Sequence, residues 1–303
     1  MISIVIPIYN EAKNIPCLFN DIIKKVSYRP LEFIFIDDGS LDNSWQVIKN
    51  LYPPKGIYIK AIRFTRNFGK EAAILAGLRE AKGEAIIVMD ADGQHPPEYI
   101  PEMIRWWQKG YDLVELVKTK RQRENLIKRL GVYTFYRIFR RFSGIDLENL
   151  TDFKLLSRHA VNLYLDLPER RRFFRGLMEW LGVPSKRLPF CPPDRQHGSS
   201  SWNFLRLWDL SWSSIVSFSI WPLRLLTCVG GLGCLFSLIL ICQTIYKKFT
   251  KSSLEGFPTV IILISLFSSL ILLGLGIIGE YIGQIYEEIK RRPPYIILEK
   301  FER

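Results

Sequence analysis

The chain is poor in the features that mark several common protein classes. Its five cysteines are scattered, with Cys228, Cys234 and Cys242 in one apolar stretch and Cys17 and Cys191 isolated. No close pair therefore suggests a disulfide framework or a zinc site. The first residues lack the basic start and long apolar core of a signal peptide, and no internal repeat is found. Acidic residues are in deficit: 30 Asp and Glu against 42 Lys and Arg give a formal charge of +12, which suits anionic partners. Nucleic acid is not expected among them, because no zinc spacing or recognised nucleic-acid motif accompanies the basic clusters. A length of 303 residues allows one catalytic domain and a membrane module.

What is present is an alternation of strands and helices. Ser3 to Ile8 is a short apolar run that enters a loop at Tyr9-Asn10-Glu11, and a helix is expected from about Asn14 to Val26. A second strand, Leu31 to Ile36, ends in Asp37-Asp38-Gly39-Ser40. A third, Ile57 to Phe64, leads into Arg66-Asn67-Phe68-Gly69-Lys70 and a helix through Ala81. The fourth, Ala85 to Met89, delivers Asp90 and Asp92 at its end. Strands alternating with helices predict a doubly wound, mostly parallel α/β sheet. Ligands bind such sheets at the carboxyl ends of the strands. An Asp-x-Asp pair there suits a divalent cation that keeps open positions for a diphosphate. Ser40 and Asp42 read as helix caps, whereas Asp38, Asp90 and Asp92 read as site residues.

Four blocks carry a resemblance: Pro7-Ile8-Tyr9-Asn10-Glu11, Asp37-Asp38-Gly39-Ser40, Arg66-Asn67-Phe68-Gly69, and Asp90-Ala91-Asp92-Gly93-Gln94-His95-Pro96-Pro97. In this order they resemble the glycosyltransferases of family two, and more narrowly the polyprenyl-phosphate glycosyltransferases. The resemblance implies a GT-A fold, a nucleotide-diphosphate sugar as donor, and Mg²⁺ or Mn²⁺ as cofactor. A metal held by Asp92 would stabilise the leaving diphosphate, with Asp90 reaching the ribose or the metal's water shell. The family adds Gln94 on the metal side and places Pro7, Tyr9, Glu11, Ile36 and Asp38 around the nucleoside, with Asp90 and Ala91 completing the donor set.

The acceptor the family implies is a lipid phosphate, largely dianionic at neutral pH because its second pKa is about 6. It calls for cations that position it more than for a general base. Lys118, Arg121, Arg129 and Arg195, with Ser200, are the expected contacts. Val114 to Arg121 resembles the family's Val-x-Gly-x-Arg-x-x-Arg, with Leu116 and Lys118 as departures. Arg195 to Trp202 resembles Arg-x-x-Gly-x-Ser-Lys-aromatic, with Ser201 in place of Lys. Thr151-Asp152-Phe153-Lys154-Leu155 resembles a Gly-Asp-Phe-Arg-Leu block. Asp152 is therefore a second catalytic expectation, against the alternative that it caps the following helix.

Two long apolar stretches, Leu223 to Tyr246 and Phe257 to Ile278, each exceed the ~20 residues needed to cross a bilayer. A short linker makes them a hairpin with both chain ends on one side. The basic amino-terminal domain and Lys290-Arg291-Arg292 favour the cytoplasm for them, while Lys247, Lys248 and Lys251 in the loop favour the opposite. The cytosolic nucleotide-sugar donor implied by the resemblance decides for the cytoplasm. Trp202 to Trp221 reads as an interfacial segment, and Leu126 to Phe142 as an amphipathic helix on headgroups or on its own domain. The expected organisation is a catalytic domain over 1–198, an interfacial segment over 199–222, two spans over 223–283 and a cytoplasmic tail over 284–303. The expected setting is the cell membrane, and a homo-oligomer is compatible with it. A processive polysaccharide synthase would carry Gln-x-x-Arg-Trp; Arg105-Trp106 follows Glu102 instead, in the wrong part of the chain. A non-enzymatic anchor would have no use for intact Asp90, Asp92 and Gln94. Glucose from UDP-glucose is the expected donor, with mannose, N-acetylglucosamine and aminoarabinose as alternatives.

Overall fold

Near-continuous apolar runs make the first four strands, as expected of parallel strands covered on both faces. These are β1 (Ile2–Ile8), β2 (Leu31–Asp37), β3 (Ile57–Phe64) and β4 (Ala85–Val88). The computed structural model describes residues 1–119, 141, 149–170, 172–191, 221–249 and 257–303. Four more strands follow: β5 (Leu113–Lys118), β6 (Leu150–Ser157), β7 (Ser185–Phe190) and β8 (Ile297–Glu302). They complete one eight-stranded sheet of order β7-β5-β6-β4-β1-β2-β3-β8. Only β6 and β8 run against the rest.

Helices α1 (Asn14–Lys25), α2 (Ser44–Lys49), α3 (Lys70–Glu80) and α4 (Ile100–Gln108) connect the parallel strands. Helices α5 (Arg158–Asp166) and α6 (Phe174–Leu181) follow β6. Helix α1 buries Ile15, Leu18, Phe19 and Ile22, a helical spacing that puts them on one face. There Phe19 meets Phe33 edge-on, with ring centroids 4.9 Å apart. Helix α3 buries every residue from Ala72 to Leu78. It lies so close to the sheet that a Cβ on Gly77 would stand 2.2 Å from Val5 Cγ1.

The chain divides into two compact units, Met1–Trp202 with Arg292–Arg303, and Asn203–Arg291. The second contains α7 (Trp221–Phe249) and α8 (Phe257–Ile289). Both are long and apolar enough to be membrane spans, and side chains such as Leu232, Leu235, Leu272 and Leu273 are exposed. The two helices touch where Gly274 faces Leu226, whose Cδ1 would lie 3.0 Å from an added Cβ. Helix α8 outruns the expected span: its 33 residues reach about 50 Å at 1.5 Å per residue, against a hydrocarbon core of about 30 Å. The polar group Glu280, Gln284, Glu287 and Glu288 lies in its last turns.

The carboxy-terminal residues depart from expectation. Ile297–Glu302, expected in a cytoplasmic tail, is a strand paired antiparallel with β3. Ile297, Glu299 and Phe301 share its half-buried face while Leu298, Lys300 and Glu302 are exposed, the period of a strand. Trp45 Nε1 donates to Glu299 at 2.8 Å, Lys49 also pairs with Glu299, and Lys60 meets Glu302 at 3.1 Å. These contacts secure the strand to the first unit. The expected 126–142 helix, the 202–221 segment apart from Trp221, and the hairpin linker from residue 250 lie largely outside the described residues.

Candidate active site

Register brings the predicted donor residues to one edge. Pro7 lies opposite Ile36 and Ile8 opposite Asp37, and the Asp38 amide donates to Ile8 O at 2.9 Å. On the other side of β1, Val5 faces Val88, and the Met89 amide donates to Val5 O at 3.1 Å. Pro7, Tyr9, Asp38, Asp90, Ala91 and Asp92 thus stand on three adjacent strand ends. Tyr9 is exposed, while the Ile36 and Ala91 side chains are buried, which leaves mainly their backbone to face a ligand.

Backbone amides claim the carboxylates of the β2 loop. Asp38 accepts from Phe68 N at 2.6 Å and from Gly69 N at 2.9 Å, so it holds the loop after β3. Burial raises its pKa to about 6, against the pull of those two amides. Gly39 makes the approach of that loop possible. Its φ is +69°, and an added Cβ would lie 2.5 Å from the Arg66 carbonyl carbon. Ser40 Oγ accepts from Asn10 N at 3.0 Å, so it ties two loops together instead of capping a helix. Asp42 accepts from Ser44 N at 3.0 Å, a turn contact one residue before the N-cap Asn43 of α2, which itself has no side-chain cap. Glu11 Oε2 accepts from Asn14 Nδ2 at 2.5 Å, so its carboxylate secures the start of α1.

Charged side chains answer the carboxylates of β4 and β6. Antiparallel pairing sets Val88 opposite Lys154, and the next residues along bring Asp90 beside Asp152. Lys70, the first residue of α3, places its Nζ 2.5 Å from Asp90 Oδ1 and 2.5 Å from Asp152 Oδ2. Arg175 grips Asp152 with Nε at 2.6 Å and Nη2 at 2.7 Å, a bidentate geometry suited to guanidinium and carboxylate. Burial alone would raise the Asp152 pKa, but Arg175 and Lys70 outweigh it and hold the carboxyl well below its usual range. Burial likewise opposes Asp90, and the Lys70 ammonium keeps that carboxyl low. Asp152 does not cap α5; Ser157 does, accepting from Ala160 N at 3.1 Å.

The loop after β4 is braced from within. His95 Nδ1 accepts from Asp90 N at 2.8 Å, and its ring stacks on Phe153 with centroids 5.0 Å apart. Burial lowers the His95 pKa, so the ring stays neutral with its proton on Nε2. Asp92 Oδ1 accepts from Gln94 N at 3.0 Å. Lys118 ends β5, two strands from β4 across β6. Arg121, Arg129, Arg195 and Ser200 lie outside the described residues. Lys70, Arg175 and His95 were not among the residues expected at the site.

An α/β sheet of this order, with an Asp-x-Asp loop at the carboxyl end of a central strand, belongs to the class of GT-A-like glycosyltransferases. Residues 3–162 match the family model described as glycosyl transferase family 2, and the chain belongs to that family. It is 41% identical over 303 residues to the putative glycosyltransferase CsbB of Bacillus subtilis, covering 99% of this chain and 92% of that one. The SfII prophage-derived bactoprenol glucosyl transferase of Shigella flexneri is 36% identical, with 98% and 97% covered. A mycobacterial protein of known crystal structure shares the fold at a TM-score of 0.50 and 18% identity, over 72% of this chain and 74% of that one.

Proposed function

We propose that this glycosyltransferase moves one hexose, glucose from UDP-glucose, to a polyprenyl phosphate at the cytoplasmic face of the cell membrane. The observation that carries the proposal is the Asp90-x-Asp92 loop beside the β1 and β2 loop ends, in a chain that also has two candidate membrane spans. The relatives called bactoprenol glucosyl transferases, aligned along nearly the full chain, support both the sugar and the lipid. A polysaccharide synthase has no comparable support.

The residues present fit a divalent cation. Among the described residues no three His, Cys, Asp or Glu side chains form a closed cage. Two carboxylates one residue apart instead suit an ion that takes its other ligands from phosphate and water, the habit of Mg²⁺. Asp90, Asp92 and Gln94 would hold it. Mg²⁺ or Mn²⁺ bound there would offset the charge on the departing nucleoside diphosphate.

The chain's own residues bind and orient. Tyr9 offers a wall to the nucleoside, and Asp38 fixes the 66–69 loop beside it. Asp152, kept anionic by two cations, is a poor general base, and a dianionic lipid phosphate needs none. Its role is to orient. Lys118, Arg121, Arg129, Arg195 and Ser200 would hold the acceptor phosphate, bringing two anions together. With no second carboxylate assigned to a covalent step, one in-line displacement inverts the anomeric carbon.

The catalytic domain is proposed to span 1–198 and to include the returning β8, with both termini cytoplasmic. A cysteine at Ser252 should then be labelled from outside intact cells, and one at Arg303 should not. Detergent-purified protein given polyprenyl phosphate and labelled UDP-glucose, GDP-mannose, UDP-N-acetylglucosamine or UDP-aminoarabinose should label the lipid from UDP-glucose. Labelling from another donor alone would replace the sugar, and no labelled lipid from any would end the acceptor reading.

A further inference from the structure

We propose that Lys70 is the resident counter-cation of the active site: it joins Asp90 to Asp152 and, by competing for Asp90, sets how tightly a divalent cation binds. This rests on the reading of Asp90 and Asp92 as the metal pair.

The position of Lys70 is unfavourable for a helix and favourable for this task. It opens α3, where the helix dipole disfavours a cation. Two carboxylates, each 2.5 Å from its ammonium, offset that cost. The approach to this turn is fixed at both ends. Upstream, the Phe68 and Gly69 amides donate to Asp38. Downstream, Glu71 accepts from Phe174 N at 2.8 Å, which ties α3 to the start of α6, the helix that carries Arg175. Lys70 therefore reaches Asp90 and Asp152 from a backbone that has little freedom to move away.

Charge explains why the contact matters. Lys70 and Arg175 balance Asp90 and Asp152. Without Lys70, Asp90 would lose its ammonium and Asp152 would keep only Arg175. A divalent cation approaching Asp90 meets an oxygen already engaged by an ammonium. Lys70 thus weakens metal binding while it keeps Asp152 in register, which identifies it as a positioning residue.

Mn²⁺ binding by the full-length protein in detergent at pH 8, without donor or acceptor, tests this through the free Mn²⁺ signal in electron paramagnetic resonance. Lys70→Met should bind Mn²⁺ about tenfold more tightly than the unaltered protein, the effect of removing one positive charge at close range. Lys70→Arg should stay within about twofold. Asp152→Asn, which leaves Lys70 to Asp90 alone, should bind about threefold more weakly. A cooperatively melting Lys70→Met protein with unchanged or weaker Mn²⁺ binding would overturn the inference. If that variant does not fold, Asp152→Asn with unchanged or tighter binding overturns it equally. An unaltered protein that binds no Mn²⁺ would remove the metal reading and this inference together. Loss of lipid transfer with the predicted order of Mn²⁺ affinities intact would remove only the acceptor reading.

Discussion

The two sides of the sheet edge use carboxylates differently. At the β2 end, Asp38 accepts from Phe68 and Gly69 amides and Asp42 from the Ser44 amide. At the β4 and β6 ends, Asp90 and Asp152 meet Lys70 and Arg175 side chains. An amide-bound carboxylate shapes a loop, and its loss is felt in binding and stability. A carboxylate balanced by cationic side chains keeps its charge at the proposed reaction site, and its loss is expected to be felt in turnover. The proposed function thus gives one residue type two tasks, architecture on one side and reaction on the other.

Substitutions on the two sides should separate accordingly. Asp92→Ala, on the reaction side, should lower transfer by about 10³-fold or more through loss of charge stabilisation at the leaving diphosphate. Near-normal turnover of the unaltered protein in EDTA would contradict that assignment. Asp152→Asn keeps the shape and removes the charge, and should lower kcat by about 10²-fold while leaving the melting temperature within a few degrees. A large stability loss with kcat preserved would move Asp152 to the architectural side.

Gly39→Ala should do the reverse. Positive φ and a 2.5 Å approach to Arg66 make the added methyl cost about 1–3 kcal/mol. Thermal melting should fall and KM for the nucleotide sugar should rise, with kcat least affected. An unchanged KM would mean that the 66–69 loop does not border the donor.

The smallest effect concerns Glu71. Burial, reinforced by Asp152, raises its pKa from 4.5 to about 7. The folded state therefore holds this proton more tightly than the unfolded chain. Stability is fully present below about pH 4.5 and declines as pH rises towards 7. Glu71→Gln, which can still accept from Phe174 N, should remove this decline and stabilise the protein by about 1–3 kcal/mol at pH 8. Parallel melting curves for both proteins from pH 5 to 8 would show that the carboxyl is not held in this way.

The same contrast explains what could be read from sequence. Parallel strands write themselves as apolar runs, so β1 to β4 and the polar residues ending them were legible. The cationic partners were not. Lys70 reads as an ordinary helix start, and Arg175 follows the basic run Arg170-Arg171-Arg172. Neither neighbours Asp152 in sequence; antiparallel pairing of β6 and the turn into α6 bring them together. In sequence His95 is one residue of a loop block, and only the fold turns its ring to accept from the Asp90 amide. The last strand left no hydropathy alternation in Ile-Leu-Glu-Lys-Phe-Glu, and its partner β3 lies more than two hundred residues earlier.

The central claim is a metal-dependent single displacement onto a lipid phosphate, and the isolated product tests it most directly. Protein supplied with UDP-glucose, polyprenyl phosphate and Mn²⁺ should yield a lipid whose anomeric proton couples to phosphorus and shows the large vicinal coupling of a β-glucoside in proton NMR. An α-linked glucosyl phosphate from this α-linked donor would mean retention and contradict the single-displacement account.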